Sequence, residues 1–331
     1  MLIAGFSLAA GASWGLAFTQ GPFSLISLRF VQAAGLAVGT VGSRAMVRDT
    51  HDPLAAARIL SILASTTAIA PALAPPVGGL LVDLSTWRSV FAFTGAVVSI
   101  LLVWAVLALP ESLPPKRRVV FAPRTLLQAY GSILASRPFL GYSCIFGFGT
   151  AAFYAFIAMA PSFFIERLHV GAGAFGLMWT GLSLSYMAGA AIAARFVRRL
   201  GAQRLLTGGV ALMLGAGVSL PLLLEMIGAK ALTIIGPMTI LLLGQGLASP
   251  LALAGAVETR PDLAGTASGL SSSIGMAISA AVAALAGRLY DGTARPLAFS
   301  VMATTIFAAL SLILLIAPAD ARPRTLQTRA G

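Results

Sequence analysis

Between Arg58 and Asp83 the chain carries no charged residue, and residues 68–80 within that run read AIAPALAPPVGGL. In water a regular helix is excluded there, because each interior proline removes a backbone donor and clashes one turn back. In a bilayer, neighbouring helices re-satisfy the freed carbonyls, and glycine lets those neighbours approach closely. The run therefore predicts a kinked, tightly packed membrane span. It is one of ten apolar stretches of bilayer length, at residues 1–19, 22–46, 55–82, 89–109, 139–164, 173–195, 205–224, 231–256, 263–287 and 297–316. Only 10% of the 331 residues are charged and 58% are hydrophobic, against about 25% charged in soluble domains. Alternation of period two is absent, which speaks against a β-barrel. The fold class expected is an all-α polytopic membrane protein.

The net charge of +12 would suggest nucleic acid in a soluble protein. Here the positive residues are spread over short loops rather than gathered on one basic surface, so no nucleic-acid partner is expected. With residue 1 placed in the cytoplasm, cytoplasmic loops and tail hold 16 of the 22 lysines and arginines, among them Arg44, Arg58, Lys116, Arg137, Arg204 and Arg260. The positive-inside rule then puts both termini in the cytoplasm. Cys144 is alone, and no cysteine or histidine spacing suggests a metal. No cofactor is expected.

The longest polar interruption, around Pro114, Lys116 and Arg124, divides the chain. Residues 1–110 form a first group of four spans, 111–138 a cytoplasmic loop, 139–317 a second group of six spans and 318–331 a cytoplasmic tail. A weak repeat crosses the divide. Arg48 to Ala55 resembles Arg260 to Ala264, and Gln32 has a counterpart in Gln245, about 210 residues later, as in transporters built from parallel repeats.

Arg29 is the sharpest single residue, since an ionisable group inside a span is a functional-site hypothesis by default. The bland alternative is an arginine snorkelling to the surface. Gln32, at i+3, shares its face, and Gly35 permits close packing. The segment holding Ala74, Pro75, Gly78 and Gly79 reads equally as an irregular structural span or as a hinge or seal. Arg198, Arg199 and Gly201 form either a positive anchor or a gating loop. Tyr154, Gln245 and Pro250 are candidates for a substrate cavity, while Phe163 and Phe164 fit an interfacial aromatic belt. All ten acids sit at span ends or in loops. That scarcity of acids, bases and nucleophiles within the spans argues against a membrane enzyme.

Taken together, these motifs resemble the major facilitator superfamily, in particular its twelve-span drug:proton antiporters and most closely the bicyclomycin and chloramphenicol resistance (Bcr/CflA) group. Arg29-Phe30-Val31-Gln32 with Gly35 looks like the fourth-span arginine motif. Ala70 to Gly79 looks like the fifth-span antiporter motif, in the form Ala-Pro-x-x-Gly-Gly, and Trp87-Arg88 with Phe91 looks like the start of the sixth span. Ala155 to Phe163, Gly246 to Pro250 and Ala264 to Leu270 resemble the seventh, tenth and eleventh spans. The resemblance implies two helical bundles, protons and a small lipophilic or amphipathic drug as partners, a monomer, and a bacterial inner-membrane location. It gives Arg29 a part in proton coupling and the Pro75–Gly78 segment control of leak and exchange direction. Two family spans, with an acid in the first and a gating loop after the second, have no counterpart here, so ten spans are expected of twelve. Export of a sugar or amino acid, or a truncated protein that no longer transports, are the competing readings.

Overall fold

A computed structural model describes residues 2–108 and 123–316. Among these, eleven α-helices follow one another with short connections: α1 (Leu2–Phe18), α2 (Pro22–Thr50), α3 (Pro53–Leu84), α4 (Trp87–Ala108), α5 (Pro123–Leu134), α6 (Arg137–Ser162), α7 (Ala172–Leu200), α8 (Ala202–Ile227), α9 (Ala231–Glu258), α10 (Ala264–Leu289) and α11 (Arg295–Ser311). No strand occurs among the described residues. Eight helical segments are long and apolar enough to cross a bilayer. Of the other two expected spans, α1 has 17 residues, and among the described residues of α3 the apolar segment Leu73–Leu84 is shorter than a span. A count of ten spans is therefore not established. Within the expected loop at 111–138, residues 123–134 form α5, because Ile133 is fully buried against Phe139, Ala256 and Ala267 and anchors that helix. The tail at 318–331 lies outside the described residues, as do residues 111–122 of the loop, Pro114 and Lys116 among them.

Local chemistry sets the helix boundaries. Proline opens α2 and α3 at a position where its missing N–H costs nothing. Gly201 and Gly228 take φ of +81° and +87° at the ends of α7 and α8, a left-handed backbone that favours glycine. Asp52 caps α3 by accepting from the N–H groups of Leu54 and Ala55, both at 3.0 Å. The bond from Ala55 is the main reason that the Asp52 carboxyl lies below its usual range. A depressed carboxylate stabilises the fold above its unfolded value, near about 3.9, and that contribution fades as pH falls through the folded one. The Leu54 and Ala55 amides are accordingly expected to keep their hydrogen-exchange protection from neutral pH down to about 3.9 and to lose it only below that. Asp52→Ala should abolish that pH dependence.

The described chain divides into two compact units, the first made of α1–α4 with Gly171–Leu177 and the second of α5, α6 and the chain from Met178 onward. In the second, α6 packs on α9, α10 and α11 around Ile145, Met213, Ala248, Ala308 and Leu312. The small residues of α10 supply the contact: Ala267, Ser271, Gly275 and Ser279, spaced by four, are buried, and Ser143 donates to Ser271 at 3.0 Å. Gly265 and Gly269, on the other face, meet open space. Phe163 and Phe164 form a π-helical turn after α6 and are 5% and 0% exposed, so they belong to the interior rather than to an interfacial belt.

Candidate functional site

In the first unit the residues around Arg29 form one polar chain. An Nη1–H of Arg29 donates to Gln32 Oε1 at 2.9 Å, Gln32 Nε2 donates to Ser13 Oγ at 2.8 Å, and Ser13 donates to the Ala9 carbonyl at 2.6 Å. The guanidinium also lies over the ring of Phe91 on α4, 5.4 Å from its centroid. Gly35 makes this reach possible. A Cβ there would stand 2.5 Å from the Gly5 carbonyl and 2.7 Å from the Ala9 nitrogen. Only without it can α2 lie close enough to α1 for Gln32 to meet Ser13. Gln32 and Ser13 are 3% and 0% exposed, whereas Arg29 remains open. No carboxylate pairs with Arg29 among the described residues.

This arrangement holds a charge and does not conduct a proton. An arginine does not release its proton in proteins, an amide is no carrier, and every donor in the chain points the same way, toward a backbone carbonyl. One of the five guanidinium donors is used within the protein, so Arg29 presents a fixed positive charge with donors to spare. Ser13 and Phe91 hold it in place. The sequence signal for Ser13 was present but faint: with Gly5 and Ala9 it forms a small-residue stripe at intervals of four along α1.

The second cluster in this unit joins α3 to the first turns of α7. A Cβ on Gly79 would stand 2.6 Å from the Ala172 carbonyl, and one on Gly176 would stand 2.7 Å from the Pro75 carbonyl. Asp83 Oδ2 accepts from the Gly173 N–H at 2.7 Å, satisfying a donor at the start of α7. Ala74 is exposed and Gly78 meets open space, so Pro75 and Gly79 are the motif residues at the crossing. The structure thus brings Asp83, Gly173 and Gly176 to that motif.

In the second unit, Gln245 is 5% exposed on α9 and donates to Thr150 on α6 at 3.4 Å, while its Oε1 finds no partner among the described residues. The position three residues earlier, which is Arg29 for Gln32, is Leu242 for Gln245. Because the buried amide is already half satisfied, Gln245→Leu is expected to leave the unfolding temperature nearly unchanged. Gln245→Glu, which buries a charge, should lower it by several degrees. Tyr154 is half-buried beside Phe153, in an aromatic group where Trp179 lies against Phe153 at 5.2 Å and Phe156 at 5.8 Å. Pro250 is exposed within α9. Arg198 and Arg199 are exposed in the last turn of α7, where cations complement the helix dipole, just before Gly201. These two arginines have no acidic partner among the described residues.

Two sets of close-packed apolar helices, one holding a buried polar chain, define a multi-pass membrane protein with the architecture of a transporter rather than of an enzyme. The chain belongs to the Major Facilitator Superfamily, whose sequence profile matches residues 1–284. It is 27% identical to the MFS-type transporter YdgK of Bacillus subtilis over 290 residues, 87% of this chain and 72% of the relative. It is 24% identical to a bicyclomycin resistance protein homolog of Haemophilus influenzae, with 86% and 71% covered, and 25% identical to a chloramphenicol resistance protein of Pseudomonas aeruginosa, with 77% and 60% covered. Among solved structures, a bacterial homolog of the human lysosomal transporter Spinster, inward-facing and unoccupied, superposes with a TM-score of 0.68 at 14% identity, covering 94% of this chain and 80% of that one. The human organic anion transporter MFSD10 gives 0.58 at 18% identity, covering 94% and 75%.

Proposed function

We propose that this protein exports small lipophilic or amphipathic drugs across the bacterial inner membrane, driven by inward proton movement, as a monomer with both termini in the cytoplasm. Its Arg29 centre carries the reading. A guanidinium fixed within a span by Gln32, Ser13 and Phe91, with no carboxylate bound to it among the described residues, is positioned to bias the charge state of whatever occupies the pathway. The relatives named for bicyclomycin and chloramphenicol resistance support drugs as the substrate class. In this account the crossing of Pro75 and Gly79 with Gly176 limits leak, the arginines before Gly201 belong to a gating loop, and Tyr154, Gln245 and Pro250 contribute to recognition.

A second reading, export of a metabolite such as an amino acid, draws on the spare donors of Arg29, which suit a substrate carboxylate. Expression in a bacterium lacking its own drug pumps separates the two. Resistance to a panel of lipophilic compounds, lost when the proton gradient is collapsed, supports drug export. Unchanged susceptibility together with export of a labelled amino acid would favour the second.

A further inference from the structure

The second unit carries an open groove of about 460 Å³, within the size range of ligand sites. Its walls are Phe148 of α6, Leu285 and Leu289 of α10, and Phe299, Ala303 and Phe307 of α11. Phe148 stacks on Phe307 with centroids 5.2 Å apart and forms the floor. Leu285, Leu289, Phe299 and Phe307 are each more than half exposed. Both α10 and α11 are long and apolar enough to cross a membrane, and the large apolar side chains exposed along them suit acyl chains. The groove is therefore lined to hold hydrocarbon.

Its two charged residues lie at one end, where α10 stops at Leu289 and α11 begins at Arg295, the level of the headgroups. Asp291 uses Oδ1 to accept from the Thr293 N–H at 2.9 Å and the Thr293 hydroxyl at 2.6 Å, which leaves Oδ2 for another donor. The Thr293 hydroxyl holds the Asp291 carboxyl below its usual range, so it stays ionised. Arg295 gives Nε and Nη2 to Glu225 at 3.0 and 3.3 Å, which leaves Nη1 for another acceptor. Arg167 lies against Gly292 beside them. The rim thus offers an acceptor for an ammonium and a donor for a phosphate next to one another. A purely anionic headgroup would face Asp291 and Glu225 instead.

We propose that this groove holds an acyl chain of a zwitterionic, amine-headed phospholipid of the surrounding bilayer, with the ammonium on Asp291 and the phosphate on Arg295. A phosphatidylethanolamine meets both groups, a phosphatidylcholine has no N–H to donate, and a phosphatidylglycerol has no cation. Native mass spectrometry of the purified protein, titrated with the three lipids at matched chain length, tests the assignment. Phosphatidylethanolamine should be retained about tenfold better than phosphatidylglycerol, with phosphatidylcholine between them. Asp291→Asn keeps the acceptor for Thr293 and removes the charge, and should reduce the phosphatidylethanolamine preference to the phosphatidylcholine level. Ala303→Trp fills the groove and should remove retention of all three, with size-exclusion behaviour confirming that the variant is folded. Equal retention of the three lipids, a preference that survives Asp291→Asn, or displacement of the lipid by a transported drug would overturn the proposal.

Discussion

Arg29→Lys is expected to reduce gradient-driven transport by about tenfold to a hundredfold while the protein still inserts and purifies normally. A hydrogen bond to a charged group is worth about 1.5–3 kcal/mol, and each 1.4 kcal/mol is about a factor of ten. Lysine keeps the charge but has no planar fork that can bond Gln32 and lie over Phe91 together. Gln32→Leu should produce a similar loss by a different route, since it frees both Arg29 and Ser13. Ser13→Ala leaves Arg29 bonded to Gln32 but releases the Gln32 amide, so a smaller effect is expected. Transport assays in proteoliposomes, normalised to inserted protein, measure all three. Full activity of Arg29→Lys would reduce the role of the site to bare charge.

The second large effect is expected where α3 meets α7. Gly79→Ala places a methyl 2.6 Å from the Ala172 carbonyl and 3.1 Å from the Gly173 Cα, which are backbone atoms that cannot rotate aside. Overpacking of this kind costs about 1–3 kcal/mol. Gly176→Ala meets the Pro75 backbone in the same way. At Gly78 nothing lies within 4 Å, so Gly78→Ala removes only a flexible residue from a helix and should be neutral or slightly stabilising. The adjacent glycines of one motif are thus predicted to differ sharply. Passive proton leak into protein-containing vesicles, read with a pH-sensitive dye, should rise for Gly79→Ala and Gly176→Ala and stay at the wild-type level for Gly78→Ala. Asp83→Ala, which uncaps the start of α7, should shift leak in the same direction as the first pair.

Much of this was legible in the residues. The helical membrane class followed from apolar runs of bilayer length, and the pairing of Arg29 with Gln32 followed from their i, i+3 spacing. Partners across helices were not legible. Ser13 carries only the faint signal of its small-residue stripe, because a serine in an apolar helix commonly bonds its own backbone, as Ser13 also does to Ala9. The equal standing of Gly78 and Gly79 in the sequence also misled, since which of two adjacent glycines faces a neighbour depends on the rotation of α3 against α7. Phe163 and Phe164 were placed at the interface by their position near a span end. A π-helical turn rotates them inward instead. α5 was hidden by the prolines and basic residues around it, which read as loop.

Arg29 is proposed to couple proton movement to export. The direct test is efflux from proteoliposomes under an imposed pH gradient, using the compound exported most strongly in the resistance panel, with wild type and Arg29→Gln side by side. Transport that follows the gradient in the wild type and stops following it in Arg29→Gln is the predicted result; equal gradient dependence in both proteins would contradict it.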